Sequence, residues 1–241
     1  MPNPYEREIW NGDGTEPKPM RPGGLELTRK LLEHAGPTIA DEVDATCHNG
    51  KPVGNLLAID IGCGTGDTLA LLSKIGIEAF GIDISEKNIE LASRSIGEDA
   101  DTRLATGDLC DDGLEEGSFD IAIAQCTLSE ISLQHGLDKT LGSCARLLAP
   151  GGMLLFSDVY DKNGTSPNLP SSREWEDALR HHGFEKIWEE DETELLADFA
   201  IAVIMAGGTV DVGNGKWCPA LDGMRAEDVG YTAMVLRRSD R

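Results

Sequence analysis

A glycine-rich turn and two carboxylates follow three successive apolar segments in the first half of the chain. The turn is GCGTG at residues 62–66, and the carboxylates are Asp83 in GIDIS and Asp108 in TGDL. Glycines let backbone amides and a helix N-terminus approach a ligand, and a carboxylate at a strand end can accept hydrogen bonds from ribose hydroxyls or an adenine amine. One such acid is often only a helix N-cap. Three signals in consecutive turns indicate a nucleoside ligand.

The spacing of the glycines distinguishes between nucleotide ligands. A dinucleotide fingerprint has the spacing G-x-G-x-x-G, and Asp67 stands where its third glycine belongs. That carboxylate would face the pyrophosphate, so the sequence argues against NAD and hydride transfer. A ribose without a pyrophosphate is the combination that remains.

Short apolar strands that alternate with helical segments must position these groups. We predict strands at residues 56–61, 79–84, 102–106, 121–125, 153–159, 185–191 and 231–238. We predict helices near residues 25–36, 66–75, 86–96, 136–148, 171–182 and 193–206. The alternation predicts an α/β fold with a doubly wound, mostly parallel sheet, whose carboxyl edge collects ligands.

The length of the chain fits a single domain over residues 1–241. We expect residues 1–50 to form an N-terminal arm with lid helices, and residues 192–230 to insert a helix and a loop between the last two strands. The segment TELLADFAIAVIM within this insertion is apolar nearly all round, so it must be buried in the protein or in a subunit interface. The insertion is therefore expected to form a lid over the acceptor or, alternatively, a homodimer contact through residues 193–206.

The composition excludes several classes of partner. The formal net charge of -22, from 43 acidic and 21 basic residues, disfavours nucleic acid and anionic membranes as partners. It fits either ordinary solubility or a salt-rich cytoplasm. The six cysteines include no CxxC pair, so no metal site is predicted. The N-terminus has neither a secretory signal nor an anchor, which predicts a cytoplasmic protein with free thiols.

Together with SFDIAIAQCTLSEI and CARLLAPGGMLLFSDVY, these motifs resemble the class I S-adenosylmethionine-dependent methyltransferases over roughly residues 24–190. DIGCGTG is similar to the first motif of that family. The resemblance implies a Rossmann-like, seven-stranded sheet with an antiparallel last strand, and methyl transfer from S-adenosylmethionine to a small-molecule acceptor, with S-adenosylhomocysteine as product. The chain is distantly similar to arsenite methyltransferases, but no cysteine between Cys144 and Cys218 matches the one expected there.

The resemblance also implies roles for individual residues. The turn with Cys63 would line the methionine part of the cofactor, and Asp60 would support its amine through water. Asp83 would hold the ribose, Asp108 with the Leu109 amide would bind adenine, and Ile84 would pack on the adenine face. The remaining implied contacts are Gly62, Gly64 and Gly66 on the methionine part and the carbonyl of Gln125 on the cofactor amine.

Arg21 is considered on its own chemistry. A guanidinium carried by a mobile arm matches the cofactor carboxylate in a bidentate pair. A solvated arginine in a linker is the alternative interpretation.

Methyl transfer from a sulfonium requires mainly alignment, plus a proton acceptor when the nucleophile is protonated. Candidates beyond the fourth and fifth strands are Glu130, His135, Asp158 and Tyr160. Each also has a structural interpretation, as a turn, a solvated loop residue or a strand cap. A cofactor-binding protein without turnover, such as a sensor or an accessory subunit, is the alternative function.

Overall fold

The computed structural model describes residues 21–35, 56–96, 102–111, 113–205, 221 and 223–239. The arm predicted before residue 21 and most of the loop predicted after the helix at 193–206 lie outside these residues. The predicted single domain and its subdivision at residues 50, 192 and 230 stay predictions.

Seven strands form one mixed sheet. They are β1 (Leu57–Ile61), β2 (Glu78–Asp83), β3 (Thr102–Thr106), β4 (Phe119–Gln125), β5 (Leu148–Asp161), β6 (Phe184–Asp191) and β7 (Val229–Arg238). Their spatial order is β3-β2-β1-β4-β5-β7-β6. β7 runs antiparallel to β5 and β6, while the other neighbours are parallel. The predicted α/β fold with its antiparallel last strand is therefore confirmed.

Helices cover both faces of the sheet, which explains why β1 and β4 are apolar runs rather than alternating sequences. The described helices are α1 (Gly24–His34), α2 (Asp67–Lys74), α3 (Glu86–Ile96), α4 (Leu128–His135), α5 (Leu137–Leu147), α6 (Ser172–His181) and α7 (Thr193–Met205), with a 3₁₀ turn at Ala226–Asp228. α1, α2, α3 and α7 pack on one face, and α4, α5 and α6 on the other. None of these helices is long and apolar enough to cross a bilayer.

Two elements differ from the sequence prediction near the ligand edge. β5 continues to Asp161 because β7 pairs with it as far as Val229. No helix was predicted for LSEISLQH; these residues form α4, which ends at His135 and is followed by Gly136, whose φ is 84°. Backbone amides at the start of this helix donate to the buried Asp158 of β5, a contact that the sequence pattern does not show.

The N-terminal helix and α7 lie together on one face of the sheet. Leu27 and Leu31 of α1 are buried, as are Leu196 and Phe199 of α7. Lys30 of α1 forms ion pairs with the acids that precede α7 (Glu190 at 2.9 Å and Glu192 at 2.7 Å). One side of α7 is therefore covered within the chain.

Candidate functional site

A cleft opens at the carboxyl edge of the sheet, where β1, β2, β3 and β4 end. Its empty volume is about 1100 Å³, including the part open to solvent, which is sufficient for a ligand of cofactor size. The predicted site residues that line it are Arg21, Gly62, Cys63, Gly64, Asp83, Ile84, Asp108, Leu109, Gln125, Glu130 and His135. Asp60, Gly66, Asp158 and Tyr160 fall outside that lining. Asp67 lines it, as the argument against a pyrophosphate requires.

Gly62 and Gly64 shape the turn between β1 and α2 in different ways. Both have positive φ, 69° and 53° respectively, a conformation that favours glycine. A Cβ on Gly62 would lie 2.4 Å from Thr127 Oγ1, whereas a Cβ on Gly64 would meet no atom within 4 Å. Gly62 is therefore required by packing, while Gly64 leaves bare backbone facing the cleft.

Asp83 ties this turn to the end of β2. Its Oδ2 accepts a hydrogen bond from Gly64 N (2.8 Å), and its Oδ1 accepts from Ser85 N (2.9 Å) and Asn88 Nδ2 (3.2 Å). A carboxylate has about four acceptor positions, so Oδ2 can accept one further hydrogen bond from the cleft. Next to it, Ile84 is 40% exposed although it is apolar, and it offers the cleft a flat hydrophobic surface.

Asp108 and His135, which were predicted for opposite ends of the site, form a pair. His135 Nε2 lies 2.7 Å from Asp108 Oδ2, and Asp108 Oδ1 accepts from Cys110 N at 2.8 Å. The Cys110 thiol completes a group whose ligand atoms lie within 4.8 Å of one another. Residues 108, 110 and 135 have no metal-binding spacing in the sequence, so only the fold reveals this group. The contact places His135 beside the predicted adenine site rather than on the acceptor side.

A second group of the same kind lies on the surface between α5 and α6. Asp138, His181 and His182 also bring potential metal-ligand atoms within 4.8 Å of one another. None of these three residues lines the cleft.

Asp60 and Arg21 interact electrostatically at the end of the cleft that we predict for the methionine part of the cofactor. Burial raises the pKa of Asp60 to about 7, against the positive charge of Arg21, which lowers it. Arg21 Nη2 donates to Thr28 Oγ1 (2.8 Å) and Thr68 Oγ1 (2.9 Å). Its Nε is buried and has no hydrogen-bond partner among the described residues. A ligand carboxylate would find an unused donor there.

Gln125, the last residue of β4, sits in a buried polar network. Its Oε1 accepts from Thr28 Oγ1 (2.7 Å), and its Nε2 donates to Ser157 Oγ (3.1 Å). Ser157 is also hydrogen-bonded to the Tyr231 hydroxyl at 3.0 Å, which lies 3.4 Å from Cys126 Sγ. Thr28, Ser157 and Tyr231 were not predicted as site residues, because each stands in a segment that looks like ordinary core.

The side of the cleft that faces away from Asp83 is formed by the turn after β4 and by α4. Its lining residues are Cys126, Thr127, Glu130, Ile131 and Gln134. Cys126 has a φ of 54°, the one positive value outside glycine among the described residues. Such a conformation is uncommon for a residue with a side chain and recurs at ligand sites.

Asp158 and Tyr160 do not lie beyond the end of β5, as predicted, but within the strand. Asp158 is fully buried; its oxygens accept from Thr127 N (3.1 Å), Ser129 N (3.0 Å), Ser129 Oγ (2.7 Å) and Val159 N (2.8 Å). It therefore holds the start of α4. Tyr160 packs against Gly230 and points its hydroxyl toward Asp191, 3.5 Å away. A direct catalytic role for either residue has no geometric support, because both oxygens of Asp158 are occupied and Tyr160 faces away from the cleft.

Comparison with known proteins agrees with this geometry. A family model described as a methyltransferase domain matches residues 59–156, which include the glycine turn, Asp83, Asp108 and Gln125. This match confirms the predicted resemblance to the S-adenosylmethionine-dependent methyltransferases over residues 59–156. The ubiquinone biosynthesis O-methyltransferase of Agrobacterium fabrum is 30% identical over 112 residues, 45% of this chain and 43% of that protein. The chain spans less than half the length of the curated relatives it matches.

Solved structures are similar in fold to most of this chain, beyond the residues that the family model matches. The [4+2]-cyclase SpnF has a TM-score of 0.61 and 20% identity, over 92% of this chain and 98% of that chain. Geranyl diphosphate C-methyltransferase from Streptomyces coelicolor, in complex with S-adenosyl-L-homocysteine, has a TM-score of 0.61 and 16% identity, over 83% of this chain and 78% of that one. At these identities the likeness concerns the fold alone.

Proposed function

We propose that this protein transfers a methyl group from S-adenosylmethionine to a small-molecule acceptor by in-line displacement. The observation that carries the proposal is the convergence of the glycine turn, Asp83 and Asp108 from three successive strand ends on one cleft. This arrangement offers acceptors for a ribose and an adenine, while the negative charge of Asp67 in the lining disfavours a pyrophosphate.

The proposed cofactor would use each part of the cleft. The amino-acid end lies against Arg21, which would pair with the carboxylate, and against Gln125 and Asp60, which favour the ammonium group. Asp83 would accept from a ribose hydroxyl at the remaining acceptor position of its Oδ2. Asp108, held by His135, would accept from the adenine amine, with Ile84 packed on the ring.

The acceptor would occupy the side formed by the turn after β4 and α4. The sulfonium is a good leaving group, so the protein must mainly align the acceptor atom, the methyl carbon and the sulfur. Glu130 is the candidate proton acceptor, because it lines this side of the cleft and a carboxylate can accept a proton from a protonated nucleophile. His135 is a second candidate only if its contact with Asp108 opens. Residues 206–220 of the predicted lid at residues 192–230 lie outside the described residues.

Calorimetric titration tests the cofactor part of the proposal. S-adenosylhomocysteine should bind to the full chain, and NAD at the same concentration should not. Comparable binding of NAD would contradict the proposal. A coupled assay for S-adenosylhomocysteine release, with pooled phenols, amines, thiols and quinol precursors, tests the transfer itself.

A non-catalytic or differently reacting cofactor-binding protein is the second candidate. It is favoured by the likeness in fold to the [4+2]-cyclase SpnF, a protein named for a cyclisation and not for a methyl transfer. Fold likeness alone does not determine the reaction. Binding of S-adenosylhomocysteine without methyl transfer to any acceptor in the pools would favour this candidate.

We also propose that the protein forms a homodimer and that it is cytoplasmic. Ile201 on α7 is 58% exposed, which supports a homodimer contact through this helix rather than full burial in the chain. Cys63, Cys110, Cys126 and Cys144 are all reduced thiols, and thiols of this kind fit a reducing, cytoplasmic compartment. The acidic chain supports neither a nucleic-acid partner nor an anionic membrane surface.

A further inference from the structure

The orientation of the Gln125 amide is determined by the groups around it. A guanidinium can only donate hydrogen bonds, so Arg21 Nη2 donates to Thr28 Oγ1, 2.8 Å away. The threonine hydroxyl must then direct its one proton elsewhere, and the nearest acceptor is Gln125 Oε1 at 2.7 Å. Its other possible acceptor, Gly24 O, is farther away at 3.3 Å. Thr28 therefore faces the carbonyl side of the amide.

The opposite side of the same amide is held by the sheet. Gln125 Nε2 donates to Ser157 Oγ on β5 (3.1 Å), and Ser157 is hydrogen-bonded to Tyr231 on β7 (3.0 Å). Thr28, Ser157 and Tyr231 are all buried. The amide is thus fixed between α1 and β5, with its oxygen toward α1 and Arg21.

Thr28 links the two groups that the proposed function assigns to the amino-acid end of the cofactor. Arg21 and Gln125 line the cleft, whereas Thr28 is fully buried and outside the lining. A cation such as an ammonium group needs the carbonyl oxygen of Gln125, not its amide nitrogen. A carboxylate needs the guanidinium held in a fixed position. One threonine satisfies both requirements through two hydrogen bonds.

We infer that Thr28 is a positioning residue that couples Arg21 to Gln125, so that α1 forms part of the recognition site for the amino-acid group of the cofactor. The inference rests on the proposed function. It predicts that docking of α1 affects the amino-acid end of the ligand and leaves the nucleoside end unchanged.

Two ligands that differ only at the amino-acid end provide the test. S-adenosylhomocysteine carries the ammonium and carboxylate groups, and 5′-methylthioadenosine is the same thioether of adenosine without them. Thr28→Val keeps the shape of the side chain and removes the hydroxyl. We expect it to weaken S-adenosylhomocysteine about tenfold, the effect of losing one hydrogen bond to a charged group, with unchanged binding of 5′-methylthioadenosine. Thr28→Ser should restore the wild-type affinity for both ligands.

Thr140→Val is the matched control. Thr140 is equally buried, and its hydroxyl donates to Gly136 O (2.9 Å) within the opposite helical layer. This variant should bind both ligands as the wild type does. If Thr28→Val fails to fold, Ser157→Ala releases the other side of the same amide and should give the same selective loss.

The outcomes separate the inference from the proposed function. Unchanged S-adenosylhomocysteine binding by a folded Thr28→Val, or equal losses for the two ligands, would overturn the positioning role. The second result would indicate a general structural effect of the hydroxyl. Failure of the wild-type protein to bind S-adenosylhomocysteine would overturn the proposed function and the inference with it.

Discussion

The ends of β1 and β5 each hold a buried carboxylate, but the two groups are stabilised in different ways. Asp158 in β5 accepts four hydrogen bonds from the backbone and side chain at the start of α4 and from its own neighbour. Asp60 in β1 is balanced chiefly by the charge of Arg21. Burial raises the pKa of both carboxyl groups, that of Asp60 to about 7.

This difference indicates that Asp158 is a structural carboxylate, whereas Asp60 can respond to a ligand. The donors around Asp158 are fixed in the fold, so a ligand has no position left to fill. Asp60 lies beside a side chain at the edge of the cleft, and an added cation would favour its ionised form. Burial and a raised pKa alone therefore do not identify a functional carboxylate; the kind of compensation does.

The largest expected effect is on folding, from Asp158→Ala. The change leaves two backbone amides of α4 and its preceding turn and the Ser129 hydroxyl without their acceptor. We expect a loss of about 3 kcal/mol or more in the free energy of unfolding, measured by urea denaturation. Asp158→Asn, which keeps one acceptor oxygen, should lose less. Wild-type stability of Asp158→Ala, or a defect confined to catalysis, would contradict its structural assignment.

Asp83→Ala comes next and acts on binding. The change removes the charged acceptor that the proposed function places against the ribose, and a hydrogen bond to a charged group contributes about 1.5 to 3 kcal/mol. Affinity for S-adenosylhomocysteine should fall roughly tenfold to a hundredfold by calorimetry. Asp83→Ala also removes the acceptor of Gly64 N. Asn88→Ala is the control, because it removes one donor to the Asp83 carboxylate and keeps the carboxylate itself. Unchanged affinity in a folded Asp83→Ala would remove this residue from the site.

The predictability of the site follows from where each side chain stands relative to its strand. Asp83, Ile84 and Asp108 stand in short turns after strands that end at or before them, so their strand-end position was enough to place them at the cleft. The seven strands were predictable because apolar runs alternate with helical or turn segments, whereas the antiparallel last strand was expected only from the family resemblance. The length of β5 was not, since it depends on pairing with β7, about 70 residues farther along the chain.

The network around Gln125 could not be predicted for a different reason. Thr28, Ser157 and Tyr231 come from α1, β5 and β7, and nothing in their local sequence distinguishes them from core residues. The contact between Asp108 and His135 likewise depends on α4 forming a helix. A single sequence reports positions along the chain, whereas these contacts join distant elements.

Asp60 makes the binding of the cofactor dependent on pH. Its pKa of about 7 in the free protein means that the carboxyl must lose a proton before it favours an ammonium group. Affinity for S-adenosylhomocysteine should therefore fall by about tenfold between pH 8 and pH 6, as the ionised fraction falls. Calorimetry in buffers of different ionisation enthalpy should detect proton release near pH 7. 5′-Methylthioadenosine, which lacks the ammonium group, should show no such dependence.

The same pKa fixes the sign of the effect of Asp60 on stability. Because the folded pKa lies above the ordinary value of 3.8, the folded state holds more protons in this range, and its stability should fall as the pH rises from about 4 to 7. Asp60→Asn should reduce that fall and flatten the pH dependence of binding. A variant that keeps the wild-type pH profile for S-adenosylhomocysteine would show that another group titrates.

The smallest expected effect is that of Tyr160→Phe. The Tyr160 ring packs against the backbone of Gly230 at the paired end of β5 and β7, and its hydroxyl contacts Asp191, at a long distance, and Thr193. Removal of the hydroxyl keeps that packing, and an exposed polar contact contributes only about 0.5 kcal/mol or less. Stability, affinity for S-adenosylhomocysteine and any methyl transfer should stay near wild-type values. A fall in kcat of about tenfold or more, with binding preserved, would show instead that the end of β5 reaches the acceptor, since a proton acceptor contributes about a hundredfold or more to the rate. That result would reverse the contrast between the two strand ends, because β5 would then carry chemistry and not only the start of α4.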